Sequence, residues 1–111
     1  MNNVKKCIKR NGSIDNFDRN KIQNAIRKSF LESKEGNKFI AKKITNLVLE
    51  RIDRTYLREI PSVEEIQDII EDSLMTLSFK KTAKLYILYR RNRSEERDYD
   101  AYFNSADGPY L

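Results

Sequence analysis

Histidine is absent from these 111 residues and cysteine occurs once, so a zinc site built by the chain itself has no ligand set to draw on. The same absence removes the side chain that most often moves protons near neutral pH. A single thiol cannot staple a disulfide framework, which makes a reducing, cytoplasmic setting the expectation. Tryptophan is missing, and only three glycines and two prolines are present. That shortage of turn residues argues against a β-sandwich and for long helices. No apolar run approaches the roughly 20 residues of a membrane span, and nothing has the build of a secretory signal. The glycines are scattered, so a Walker-type phosphate loop cannot form.

What the chain does have is charge, 22 basic against 17 acidic residues for a net +5. Such an excess permits a polyanionic partner without requiring one, because a solvated, salt-tolerant surface gives the same total. The length suits one domain with one core.

The organising stretch is Val4 to Lys21. Val4–Lys9 and Ser13–Phe17 read as two short strands, with Asn11-Gly12 supporting a type I′ turn between them. Asp18 stands ready to cap a helix beginning near Arg19. A lone hairpin is marginal in water, so this one must lie on something. Lys5, Lys6, Lys9, Arg10, Arg19 and Lys21 face only Asp15 and Asp18, and a helix N-terminus adds N–H donors beside them. Together these make an anion site. Spacing alone favours a plainer account, in which Lys9 and Arg10 discourage pairing at a strand edge.

Four helices follow in the pattern. Ile22, Ala25, Ile26, Ser29 and Phe30 form one stripe ending near Ser33; Phe39, Ile40, Ile44, Leu47, Val48 and Ile52 form a second, lasting to about Arg54. Thr55 to Pro61 is a connector, and Ile60 is turned from helical geometry by the proline after it. Ser62 and Glu65 have capping-box spacing ahead of Ile66, Ile69, Ile70, Leu74 and Leu77. A last helix spans about Lys81 to Arg97, with Ala83, Tyr86 and Ile87 on one face and Leu85, Leu88 and Tyr89 on the other. Being apolar nearly all round, it is expected at the centre of the bundle, with Arg90, Arg91 and Arg93 suiting its C-terminal end. Periodicity stops at Asp98, and Ser105 to Pro109 reads as a linker. The expected fold is mostly α, a four-helix cluster covered by an N-terminal β-hairpin.

No catalytic set emerges, since nothing is present to activate the available Ser, Thr or Asp as a nucleophile. Glu64, Glu65, Asp68, Glu71 and Asp72 crowd the third helix and read as a solvated face.

Three blocks nevertheless resemble the ATP-cone domain, in the family's order and spacing over about residues 3–95. They are Ile8-Lys9-Arg10-Asn11-Gly12 with Phe17-Asp18-Arg19-Asn20-Lys21-Ile22 and Ala25-Ile26; Val63 through Glu71; and Ala83 through Arg90 with Arg93. The resemblance implies a regulatory module that binds ATP and dATP. In the family it caps the N-terminus of ribonucleotide reductase large subunits, where ATP permits activity and dATP shuts it down. It also occurs behind a zinc ribbon in a repressor of reductase genes, and no such ribbon is present here. Tyr89 to Arg97 is most similar to the cone of anaerobic, glycyl-radical reductases. The catalytic barrel of those enzymes is missing, so the chain is expected to be an excised regulatory piece and not itself an enzyme. Residues 1–97 would be the cone and 98–111 a linker or the start of the next segment.

Carried over by resemblance, Cys7 and Ile8 lie beside the adenine, and Lys9, Arg10 and Lys21 hold the phosphates. Asp15 touches the ribose side. Val63 and Ile66 line the base, and Gln67 bonds its edge. Arg91 falls near a family phosphate ligand, with Asn92 and Arg93 as alternatives. Magnesium would come with the nucleotide, bridging phosphates. The implied partners are ATP or dATP, the catalytic domain of a reductase, and further copies of the chain meeting through the first and last helices. Neither a membrane nor nucleic acid is expected. A second reading, a stand-alone cone or basic helical module that binds DNA in transcriptional regulation, predicts a steep loss of affinity with salt. No recognition helix stands out to support it. A third, a plain helical interaction domain, needs only the apolar stripes.

Overall fold

The computed structural model describes residues 4–107, with side chains described as far as Arg93. Strands β1 (Lys6–Ile8) and β2 (Ile14–Asn16) precede helices α1 (Arg19–Ser33), α2 (Lys38–Thr55), α3 (Val63–Thr76) and α4 (Lys80–Asp107). This is the mostly α architecture with a small hairpin that the sequence led us to expect.

The strands pair antiparallel with Cys7 opposite Asp15. Their turn is not the type I′ form. Lys9 N–H donates to Ser13 O, Gly12 N–H donates to Lys9 O, and Gly12 has φ +87° while Asn11 keeps a negative φ. That is a three-residue loop ending in a left-handed glycine, the bulged alternative for short hairpins. The Asn11 side chain secures it by accepting from Ser13 N–H at 3.0 Å. As expected, the hairpin lies on the helices. Buried Val4 donates its N–H to Asp53 Oδ1 at 3.1 Å, and Ile8 N–H donates to Pro61 O at 2.9 Å. Ile8 also makes a parallel bridge to Ser62, which fixes the hairpin against the start of α3.

Local chemistry sets the helix starts. Asp18 accepts from Asn20 N–H, Asn37 from Phe39 and Ile40 N–H, and Ser62 with Glu65 completes a reciprocal capping box. The α1 stripe packs inward as its spacing requires. In α2 the inward face is rotated from expectation: Ala41, Thr45 and Leu49 are buried, whereas Phe39 and Leu47 are exposed. Leu77, assigned to the α3 stripe, is likewise exposed.

The helices close a ring in which α1 meets α2 and α4, and α3 meets the same two. Ile26, Phe30, Val48, Ile52, Ile70 and Leu74 fill its middle. Thus α4 is one wall of the bundle and not its centre. It buries Thr82, Ala83 and Tyr86 but exposes Ile87, Leu88 and Tyr89. It also runs to Asp107, beyond the end expected near Arg97; Gly108 and Pro109 of the expected linker lie outside the described residues.

Candidate functional site

The hairpin, the first half of α1, the first half of α3 and the middle of α4 enclose a cleft of about 860 Å³. Its lining carries two kinds of chemistry. Lys9 and Arg10 from the hairpin, Lys21 and Lys28 from α1 and Arg93 from α4 supply five cations. Cys7, Ile22, Ala25, Val63, Ile66 and Ile70 supply an apolar floor, with Gln67, Tyr86 and Tyr89 beside it.

Helical geometry explains the α1 contribution. Lys21, Asn24 and Lys28 stand three and seven residues apart and share one face. The hairpin contributes through pairing: Cys7 and Asp15 face each other across the strands and therefore point to the same side of the ribbon. Burial pushes the Cys7 thiol above its ordinary range, Asp15 adds to the rise, and Lys21 and Lys9 partly offset it. The rise favours the protonated thiol, which donates weakly to Asn16 O at 3.8 Å.

Two of the cations already have carboxylate neighbours. Lys9 Nζ is 3.9 Å from Asp15 Oδ2, and Arg10 Nε is 3.6 Å from Glu64 Oε2. Both pairs are open to solvent, so a multiply charged anion can outbid them at little cost. Lys21 and Lys28 have no ion pair among the described residues. Asp18, though in the cleft, spends its carboxylate on the α1 cap.

Of the residues singled out from sequence, Cys7, Lys9, Arg10, Asp15, Lys21, Val63, Ile66 and Gln67 all line this one cleft. Ile8 does not; its N–H donates to Pro61 O, it bridges to Ser62, and it is half-buried. Arg91 does not either, being exposed on another face of α4. Arg93 lines the cleft instead, because Tyr86, Tyr89 and Arg93 follow the three-and-seven spacing of one helical face, to which Arg91 stands nearly opposite. Lys28, Asn24 and the two tyrosines were not anticipated; the same spacing, counted from Lys21, would have found Lys28.

The acidic face of α3 is not simply solvated. Arg90 of α4 donates to Asp68 Oδ1 at 2.8 Å, to Glu71 Oε1 at 2.6 Å and to the Glu64 carbonyl at 3.2 Å. Asp72 pairs with Arg51 of α2 at 2.7 Å, and Glu65 is the capping carboxylate. These contacts hold the α3 wall in place.

The fold and cleft define a small helical module offering clustered cations and an apolar floor to an anionic ligand with a flat apolar part. The chain belongs to the ATP-cone family, whose ATP cone domain matches residues 5–95. Membership makes it a nucleotide-binding regulatory domain. It is 41% identical over 100 residues to a vitamin B12-dependent ribonucleoside-diphosphate reductase of Thermoplasma acidophilum, covering 86% of this chain and 13% of that protein. It is 34% identical over 91 residues to an anaerobic ribonucleoside-triphosphate reductase of Haemophilus influenzae, covering 82% and 13%. A ribonucleoside-diphosphate reductase subunit alpha of Chlamydia pneumoniae is 32% identical over 97 residues, covering 81% and 9%. The chain thus spans about an eighth or less of the length of these relatives. Among the described residues no helix is long and apolar enough to cross a membrane.

Proposed function

We propose that this chain is the module through which ATP and dATP set the overall activity of a ribonucleotide reductase. The observation that carries the reading is the meeting of Lys9 and Arg10 from the hairpin with Lys21 from α1 on one cleft whose apolar floor α3 helps to build. Cations from two elements, converging on a triphosphate, make charge-assisted bonds about twice as strong as neutral ones. Lys28 and Arg93 extend the same positive wall. The base lies against Val63 and Ile66 with its edge toward Gln67, and Asp15 is the acceptor for a ribose hydroxyl. Among the described residues no three His, Cys, Asp or Glu side chains stand together as a metal cage. Magnesium in this reading comes bridged to the phosphates.

ATP and dATP differ by one hydroxyl, so a switch requires a two-state element that the two ligands favour unequally. Exposed Leu31 on α1 and Ile87 and Leu88 on α4 offer apolar surface for that element to act through contacts between chains. The gathering of cations along one cleft, with an apolar floor beside them, favours this reading over DNA binding. Calorimetry on the chain tests it. ATP and dATP bind in the micromolar range or tighter, with little hydrolysis, and Lys9→Ala and Lys21→Ala each weaken binding about tenfold or more. Unchanged binding in both variants removes the site.

A further inference from the structure

Among the described residues, Tyr86 is the one deeply buried side chain of the cleft whose polar atom makes no hydrogen bond. Only 2% of its surface is exposed, yet it lines the cleft. Its hydroxyl makes no hydrogen bond among the described residues, and its oxygen is not fully sealed from solvent. Arg90, four residues on, gives its bonds to Asp68, Glu71 and the Glu64 carbonyl and none to Tyr86. Tyr89, 6.3 Å away between ring centres, meets the ring and not the oxygen.

The position along α4 says which part of a ligand this oxygen meets. Arg93, the cation of the same helix face, lies seven residues further on, about 10 Å along the axis. Tyr86 lines the same cleft as Ile66 and Ile70 of α3, which belong to its apolar floor, and as Gln67. A triphosphate held by the cations leaves its flat heterocycle at that floor. Burial pushes the phenol well above its ordinary range, so the group stays neutral and can both donate and accept.

We propose that Tyr86 is a specificity-determining residue, whose hydroxyl hydrogen-bonds the polar edge of the heterocycle of the bound nucleoside triphosphate. The inference rests on the nucleotide-binding reading above and adds to it a group that reads the base. Gln67 and Tyr86 then approach the base from α3 and α4, two walls that the Arg90 bonds tie together.

The test is Tyr86→Phe, which removes the oxygen and keeps the ring. Because no protein hydrogen bond is lost, the variant melts at or above the wild-type temperature. Its affinity for ATP, measured by calorimetry, falls about three- to tenfold. Its affinity for inorganic tripolyphosphate, which has charge but no base, stays at the wild-type value. ATP affinity equal to wild type overturns the proposal, and so does an equal loss for ATP and tripolyphosphate. A wild-type chain that binds no ATP overturns the nucleotide reading beneath it, and that result is separate from any property of the variant.

Discussion

Arg10 Nε stands 3.6 Å from Glu64 Oε2, so the hairpin turn and the first turn of α3 share an ion pair at the edge of the cleft. A phosphate that recruits Arg10 must draw it away from this carboxylate. The side chains are 33% and 56% exposed, which limits the pair to about 1 kcal/mol or less. Glu64→Gln should therefore tighten ATP binding about two- to fivefold in calorimetry at low salt, with the gain shrinking as salt screens the pair. Unaltered affinity would remove Arg10 from the phosphate-binding set.

Two glycines are required for different reasons, and substitution separates them. A Cβ on Gly36 would sit 2.7 Å from the Phe30 ring, which is buried and held edge-on by Phe79 at 5.2 Å. The ring has nowhere to go, so Gly36→Ala should cost about 1–3 kcal/mol in urea unfolding. At Gly12 a Cβ meets nothing within 4 Å, but φ is +87°. Gly12→Ala should cost about 1 kcal/mol through the backbone alone, and Gly12→Asn less, since asparagine tolerates left-handed geometry. If Asn and Ala at position 12 are equally costly, backbone strain is not the cause.

The features legible in the sequence were those with local causes. Asp18, Ser62 and Glu65 act within their own first turns, and the α1 stripe is a single helix meeting a single core. That eight of the expected site residues line one cleft also follows from order along the chain, since the hairpin, α1 and α3 converge once the ring closes. What escaped had distant causes. Asn11-Gly12 reads as a two-residue turn until the Lys9–Ser13 bond shows three residues in the loop. Phe39 and Leu47 satisfy helical spacing, yet the neighbours of α2 select the face of Ala41 and Leu49. Arg90 suited a helix end by composition, but its partners lie 19 and 22 residues back on α3. Arg93 rather than Arg91 reaches the cleft because Tyr86 fixes the rotation of α4.

Glu35, in the link between α1 and α2, caps the start of α4 from a distance of 47 residues. Its Oε1 accepts from Thr82 Oγ1 at 2.7 Å and from Thr82 N–H at 2.8 Å. These bonds hold its carboxyl below the usual range, the hydroxyl bond most of all, and Glu65 is lowered likewise by the Ser62 N–H. A depressed folded pKa gives stability that is present above the unfolded pKa and lost as pH falls through the folded value. Thermal melts should therefore fall in midpoint as pH drops below about 4.5. Glu35→Gln should lower the midpoint at neutral pH and flatten the acid limb, with the variant and wild type converging in strong acid. Parallel curves at every pH would mean that the charge of Glu35 contributes nothing to the cap.

The two arginine pairs on α3 look alike in distance and should differ in consequence. Arg51 meets Asp72 at 2.7 Å, but the side chains are 39% and 58% exposed. Arg90 meets Glu71 at 2.6 Å with both side chains about a quarter exposed, and it adds Asp68 and the Glu64 carbonyl. Burial alone would lower the Arg90 pKa, yet the bonds to Glu71 and Asp68 outweigh it and raise it. Arg51→Ala should thus cost under about 1 kcal/mol, an effect that fades in molar salt. Arg90→Ala should cost about 1–3 kcal/mol and keep most of that loss in salt, because Glu71 is left half-buried beside the gap. It should also weaken ATP binding, since Tyr86 and Arg93 reach the cleft from the helix that Arg90 fastens to α3. Equal stability losses for the two variants, fading together with salt, would show that α4 is held by its apolar face alone.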